Sequence, residues 1–292
     1  MPDLQREEES PILHHPTDEQ AVFLPENLLE RAADMQGKAR GPVPPCCLLD
    51  FDAELVPVAR AEFGAQVCEG WSCFHTTLLR IERDGLETGI ISGTVGAPYA
   101  VLVAEELIAS GCRHIIAYSS AGAIADWLRP PCLVVPEGAL RDEGTSYHYL
   151  PPARWAVARG ALPDILGRRA EACGLPIHRG RSWTTDAPYR ETQSQIARHR
   201  VERVLCVEME AALMALAQAR GVEVASLPHV TNVLATGTND FHKGPEDVNA
   251  RAIGCCLDSF AEVTGGAGYR TPRRAGARNP ERTVRPGRDY PR

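Results

Sequence analysis

No run of about 18 apolar residues occurs in this chain of 292 residues, so a membrane-spanning helix is not expected. The opening residues, Met1 to Ser10, are acidic and contain no apolar stretch, so a secretory signal is not expected either and a cytoplasmic location is. Ten cysteines are present, yet none forms a C-x-x-C pair. This spacing argues against a zinc site or a disulfide frame and for reduced thiols packed in a core. There is no internal repeat, which excludes solenoid and propeller architectures. The glycine-rich stretch Gly93-x-x-Gly96 does not read G-x-G-x-x-G, and no acidic residue follows it at the distance a dinucleotide site requires.

Charge is unevenly placed. From Gly265 to Arg292, eight arginines stand against Glu281 and Asp289, a net of +6; in a chain of net −7 the remainder therefore carries −13. Dominated by Gly, Pro and Arg, that tail lacks the aliphatic residues needed for a core and is expected to be disordered. An acidic body argues against nucleic acid as a partner.

A hydrophobic content of 44% is enough for a sizeable core. Residues 1–44 read as an arm with one short helix over 25–34, opened by Pro25 and followed by the breaker Gly41-Pro-Val-Pro-Pro45. From Cys46 onward, apolar runs (47–49, 89–92, 114–118, 132–135, 204–207, 224–230) alternate with helical patterns (53–63, 100–110, 153–173, 208–220, 245–263). This alternation predicts one α/β domain over 45–263, with a central, mostly parallel or mixed twisted sheet flanked by helices, and a disordered tail over 264–292.

Three segments carry the chemistry. Gly89-Ile-Ile-Ser-Gly-Thr-Val-Gly-Ala-Pro98 reads as strand, glycine turn and helix start, and Gly93, Thr94 and Gly96 let a ligand approach backbone N–H groups. His114-Ile-Ile-Ala-Tyr-Ser-Ser-Ala-Gly-Ala-Ile124 is a second strand ending in small polar residues. Cys206-Val-Glu-Met-Glu-Ala-Ala-Leu213 sets Glu208 and Glu210 around Met209 where a helix is expected to begin. One glutamate there offsets the helix dipole; two, pointing different ways, suggest a polar site. A carboxylate accepts two hydroxyl hydrogen bonds, as a cis-diol requires, while a thioether packs on a sugar face.

In this order, together with Arg141 to Tyr149 and Trp183 to Thr192, these segments resemble the nucleoside phosphorylase superfamily, the uridine phosphorylase branch in particular, over roughly residues 46 to 262. The resemblance implies cleavage of a ribonucleoside's N-glycosidic bond, without metal or organic cofactor and with phosphate as co-substrate. It also implies a homodimer or homohexamer whose pocket draws on two subunits. It places Glu210, Met209 and Glu208 on the ribose, Gly93, Thr94 and Ser120 on the phosphate and ribose side, and Asn232, Arg190 and Tyr189 on the base. His14 or His15 would reach a neighbour's ribose.

The phosphate-clamping arginines of that family are absent here. Glu54, Ala117 and Phe74, the last beside His75, stand at or near the corresponding positions. Each charge-assisted bond lost amounts to about 1.5–3 kcal/mol. Thr192 replaces a uracil-binding glutamine, and Val233 an arginine. Phosphorolysis is the expected reaction; hydrolysis, which the missing arginines favour, is the alternative, and a non-catalytic nucleoside-binding homologue is the third reading.

Overall fold

The structure, a computed structural model, describes residues 10–171, 174–234 and 241–265. The expected tail over 264–292 lies outside these residues apart from Thr264 and Gly265.

Pro25–Gln36 forms α1, opened by its proline and closed by Gly37 in the left-handed conformation that glycine adopts without strain. The other helices are Leu55–Glu62 (α2), Ala97–Ala109 (α3), Leu162–Ala170 (α4), Gln193–Val201 (α5), Ala212–Arg220 (α6) and Val248–Val263 (α7). The strands are Cys46–Asp50 (β1), Gln66–Val67 (β2), Leu79–Arg83 (β3), Leu86–Ser92 (β4), His114–Ala123 (β5), Cys132–Asp142 (β6), Trp155–Val157 (β7), Ile177–Thr185 (β8), Val204–Glu208 (β9) and Glu223–Val233 (β10). Strand β1 is buried along its whole length, as a strand covered on both faces must be.

The ten strands among the described residues form one mixed sheet, ordered β10-β6-β8-β9-β5-β1-β4-β3-β2, with β7 on β6. Because β10 also pairs with β5, the strands β5, β10, β6, β8 and β9 close into a ring, a feature that alternating patterns do not reveal. Strand β5 joins the ring to the open part of the sheet. Its first half lies beside β1 as far as Tyr118 opposite Asp50, and its end lies beside β9 from Gly122. Between these partners, Ser119 to Ala121 have no strand on that side among the described residues, so the sheet splits beyond the carboxyl end of β1, the kind of place where open α/β sheets bind ligands.

Alternation along β5 separates two cores. Ile116 and Tyr118 pack with Leu55 of α2, Leu166 of α4 and Phe260 of α7. Ile115 and Ala117 pack with Leu29 of α1, Leu107 of α3 and Leu213 of α6. Helix α1 is thus docked into the body rather than held away from it.

Three expectations change. The helical pattern over 153–173 is β7 followed by α4, separated by Gly160 at φ 87°. Glu208 does not begin a helix but ends β9, and the Glu-Met-Glu segment is the turn from strand to α6. Among the described residues eight cysteines are free, but Cys255 is disulfide-bonded, so the set is not wholly reduced.

Candidate active site

The glycine loop and the Glu-Met-Glu turn, far apart in sequence, meet at the ends of β4 and β9. Gly93 takes φ 77° and donates its N–H to Asp50 O at 2.8 Å, and Gly96 takes φ 90°, which reverses the chain into α3. The Gly96 N–H is 3.4 Å from Glu210 Oε1. A Cβ at Gly96 would come within 3.9 Å of Met209 Cε, so the half-buried thioether lies against this loop. Thr94 is buried and its hydroxyl has no hydrogen-bond partner, which leaves a polar group facing inward without a role in the fold.

The two glutamates are both buried but differ in what they hold. Glu208 Oε1 accepts the Ser182 hydroxyl at 2.9 Å and the Thr184 hydroxyl, while Oε2 accepts the N–H groups of Glu210 at 2.8 Å and Ala211 at 2.9 Å. An ionised carboxylate offers about four lone-pair directions, and all are used. Burial nevertheless pushes its pKa up. Glu208 therefore spends its accepting positions on bracing the turn from within.

Glu210 has only two internal donors, Gly96 N–H on Oε1 and Met209 N–H on Oε2 at 3.2 Å, and both bonds are long. Half of its accepting capacity is unspent. Burial, and then the charge of Glu208, push its pKa up to about 8. A carboxylate so placed gains from any donor brought to it.

Around the end of β1, Asp50 is buried and caps α2, accepting the N–H groups of Glu54, Leu55 and Val56 at 3.1, 2.9 and 3.2 Å. Burial outweighs these bonds and pushes its pKa up to about 6. The next turn carries Asp52, whose Oδ2 accepts both the backbone N–H and the hydroxyl of Ser120, each at 2.6 Å. Ala53 is held at φ 59° in this turn, a conformation that costs a residue with a Cβ about 1–2 kcal/mol. Glu54 pairs with Lys243.

Asn232 is partly buried near the end of β10, opposite Gly122 and just past a bulge. Two residues before the bulge, His229 is buried beside Tyr118. His229 and Asp52 did not stand out in the sequence. Each lies in a segment that did, but their role depends on a neighbour from another strand.

The remaining expected residues lie apart. Arg190 and Tyr189 are exposed on a short 3-10 turn, Tyr189 almost fully, and no ion pair joins Arg190 to Asp186 or Glu191 among the described residues. Thr192 caps α5 in a reciprocal capping box with Gln195, which explains that residue structurally. Phe74 and His75 are exposed between β2 and β3. His75 O accepts the Tyr99 hydroxyl at 3.2 Å, and among the described residues no hydrogen bond ties either to Ser120 or Glu210. His15 stacks on His148 of its own chain, ring centroids 3.7 Å apart. Among the described residues there is no cluster of three His, Cys, Asp or Glu able to hold a metal, and no helix is long and apolar enough to cross a membrane.

A family model described as the phosphorylase superfamily matches residues 46–260. A guanosine phosphorylase of Halorubrum lacusprofundi is 31% identical over 162 residues, which cover 55% of this chain and 67% of that protein. A uridine phosphorylase of Klebsiella aerogenes is 30% identical over 113 residues, covering 39% of this chain and 45% of that protein. The chain thus spans between about half and two thirds of these curated relatives. Among solved structures, uridine phosphorylase from Vibrio fischeri ES114, complexed with 6-hydroxy-1-naphthoic acid, superposes with a TM-score of 0.66 at 22% identity, covering 78% of this chain and 99% of that one. At that identity the likeness is one of fold.

Proposed function

Because this chain belongs to the phosphorylase superfamily, we propose that it is an enzyme that cleaves the bond between a nucleobase and C1′ of a pentose in a nucleoside. The observation that carries this reading is the contrast between Glu208, whose accepting directions are all filled, and Glu210, where two remain. Two adjacent hydroxyls of a ribose supply the two donors that Glu210 lacks. Met209 offers an apolar cushion to the sugar, and Thr94 an unspent hydroxyl. As the bond to the base stretches, C1′ gains positive charge, which a neighbouring carboxylate stabilises in a site largely shielded from water. The Asn232 amide hydrogen-bonds the departing base, and Arg190 and Tyr189 close over it. Orientation and electrostatics supply the catalysis.

The names of the relatives support phosphate as the acceptor at the level of the family. A specific observation favours a second reading, water: Asp52 already holds both donors of Ser120. The assembly we propose is a homodimer or homohexamer, with Phe74 and His75 facing a neighbour's pocket.

The test is release of free base from a panel of purine and pyrimidine nucleosides by the full chain, compared with Glu210→Ala. Release by the native chain and its loss in the variant support the reading. Binding of a nucleoside with no release makes the protein a sensor, and unchanged turnover in Glu210→Ala overturns the assignment.

A further inference from the structure

At the opposite end of β9 from Glu208, the start of that strand, the turn before it and the middle of β8 line a cavity of about 640 Å³. Small-molecule sites span about 300–1,000 Å³. The cavity has an apolar element in Leu205, whose side chain lies against β8 because Gly180 has no Cβ; one added there would stand 2.8 Å from Leu205 Cδ1. Trp127, also in the lining, is 56% exposed, its ring nearly perpendicular to that of His178 with centroids 5.2 Å apart. An exposed indole beside a cavity is a stacking platform.

Four arginines line this cavity, and only Arg179 has an acid partner among the described residues, Asp164 and, at 3.6 Å, Glu137. Arg181 lies 4.5 Å from the centre of the Trp155 ring, a stacking that fixes the guanidinium and leaves its N–H donors unspent. Arg200 donates only its Nε, to Ile124 O at 3.1 Å. Arg203 makes no side-chain hydrogen bond or ion pair among the described residues, yet its backbone is held at φ 60° in the turn from α5 to β9, with its N–H on Arg200 O at 3.0 Å. Glycine or asparagine is the usual residue in that conformation, and an arginine kept there with nothing of the fold to hold argues for a role in binding. Of the acids in the lining, Glu137 is taken by Arg179 and Glu202 by Arg154 and His199, so Asp126 alone is unpaired among the described residues. Three unpaired cations against one unpaired anion leave a net of +2, in a chain of net −7.

We propose that this cavity binds a nucleoside polyphosphate, its base stacked on Trp127 and its phosphates held by Arg181, Arg200 and Arg203. A guanidinium pairs phosphate oxygens two at a time, and three such groups free of carboxylates suit a chain of phosphates better than a single anionic group. The base needs a flat partner, which Trp127 supplies, and Leu205 offers apolar surface to the sugar. The site is separate from the Glu210 pocket and does not depend on the glycosidic reading. Four residues of β9, about 13 Å of strand, separate Val204 in this lining from Glu208.

Calorimetric titration of the full chain with ATP and with inorganic tripolyphosphate tests this, in the native protein and in Glu210→Ala, which removes the carboxylate of the catalytic pocket. ATP should bind both proteins with equal affinity, and at least about tenfold more tightly than tripolyphosphate. Trp127→Ala should bring ATP down to the affinity of tripolyphosphate, whose own binding stays unchanged. Arg181→Gln and Arg203→Gly should each weaken both ligands at least about tenfold. Because glycine adopts the left-handed backbone at position 203 freely, Arg203→Gly should also raise Tm, so that its lost binding is not lost folding. ATP affinity unchanged in both folded arginine variants overturns the proposal, as does absence of ATP binding to the native chain. ATP held no more tightly than tripolyphosphate overturns the nucleoside part of the ligand. Loss of ATP binding in Glu210→Ala moves the nucleotide to the catalytic pocket, and a single-stranded oligonucleotide bound more tightly than ATP assigns the cavity to nucleic acid; either result overturns the proposal.

Discussion

Glu210 Oε1 lies 3.4 Å from the backbone nitrogen of Gly96, a residue 114 positions earlier in the chain, and this contact closes the candidate pocket between the ends of β4 and β9. With only this bond on Oε1 and the Met209 N–H at 3.2 Å on Oε2, both long, the buried carboxylate remains open to further donors.

Replacing Glu210 with Gln should abolish nucleoside binding and yet stabilise the fold. A carboxyl whose folded pKa is raised to about 8 holds its proton where the unfolded chain has lost it. Native stability therefore falls as pH rises from the ordinary carboxylate range towards about 8, and a neutral amide escapes that loss. The expected result at pH 8 is a Tm a few degrees above native by calorimetry, alongside loss of ligand binding. A lowered Tm at that pH would show that Glu210 contributes to the fold.

Glu208 should behave in the opposite sense. Its four donors come from two hydroxyls and two backbone N–H groups, and removing the acceptor leaves both hydroxyls and the Glu210 N–H buried without it, while the Ala211 N–H keeps only its longer bond of 3.2 Å to the Thr184 hydroxyl oxygen. Glu208→Ala is expected to cost about 3–5 kcal/mol in urea denaturation, an exceptional loss for one residue. A cost below about 1 kcal/mol would contradict the saturation argument.

Native nucleoside affinity should rise with pH through about 8 if the ionised form of Glu210 accepts the pentose hydroxyls. Titrating affinity between pH 6 and 9 measures this. In Glu210→Gln the dependence should vanish together with most of the affinity.

Ala53→Gly is expected to stabilise slightly. Relief of the left-handed strain amounts to about 1–2 kcal/mol, and the extra freedom of glycine in the unfolded chain removes about 0.5–1 kcal/mol of that. A net gain of about 0.5–1 kcal/mol should appear in denaturant melts. A net loss would mean that Ala53 makes contacts that outweigh its backbone cost.

Arg190→Ala should leave stability within about 0.5 kcal/mol, since the side chain is exposed on its turn and unpaired with its acidic neighbours. If it closes over the base, KM should rise while Tm stays constant. Unchanged KM and kcat would remove it from the site.

Much of this was legible in the chain. The strands β1, β4, β5, β9 and β10 follow from dense apolar runs, because strands buried on both faces need them. Strand β8 was missed: its first half, Ile177 to Arg181, is half-buried or exposed throughout, and only its second half, including Trp183, is buried. Strand β7 is three residues long, too short for any period to show. At the site, Glu210, Met209 and Gly96 were legible as residue types with few other uses at their spacing. Asp52 and His229 were not, since an aspartate in a turn and a histidine in a strand are common, and only their partners distinguish them.

The amino-acid order alone determined the α/β class and the segments that carry polar chemistry. Both depend on residue type and local spacing. Only the tertiary structure decided that Glu208 is saturated while Glu210 is open, and that Asp52 rather than a ligand holds Ser120. The physical reason is that a carboxylate's remaining capacity depends on which donors strand pairing brings within reach: Ser182 and Thr184 lie 26 and 24 residues from Glu208, and Asp52 lies 68 from Ser120.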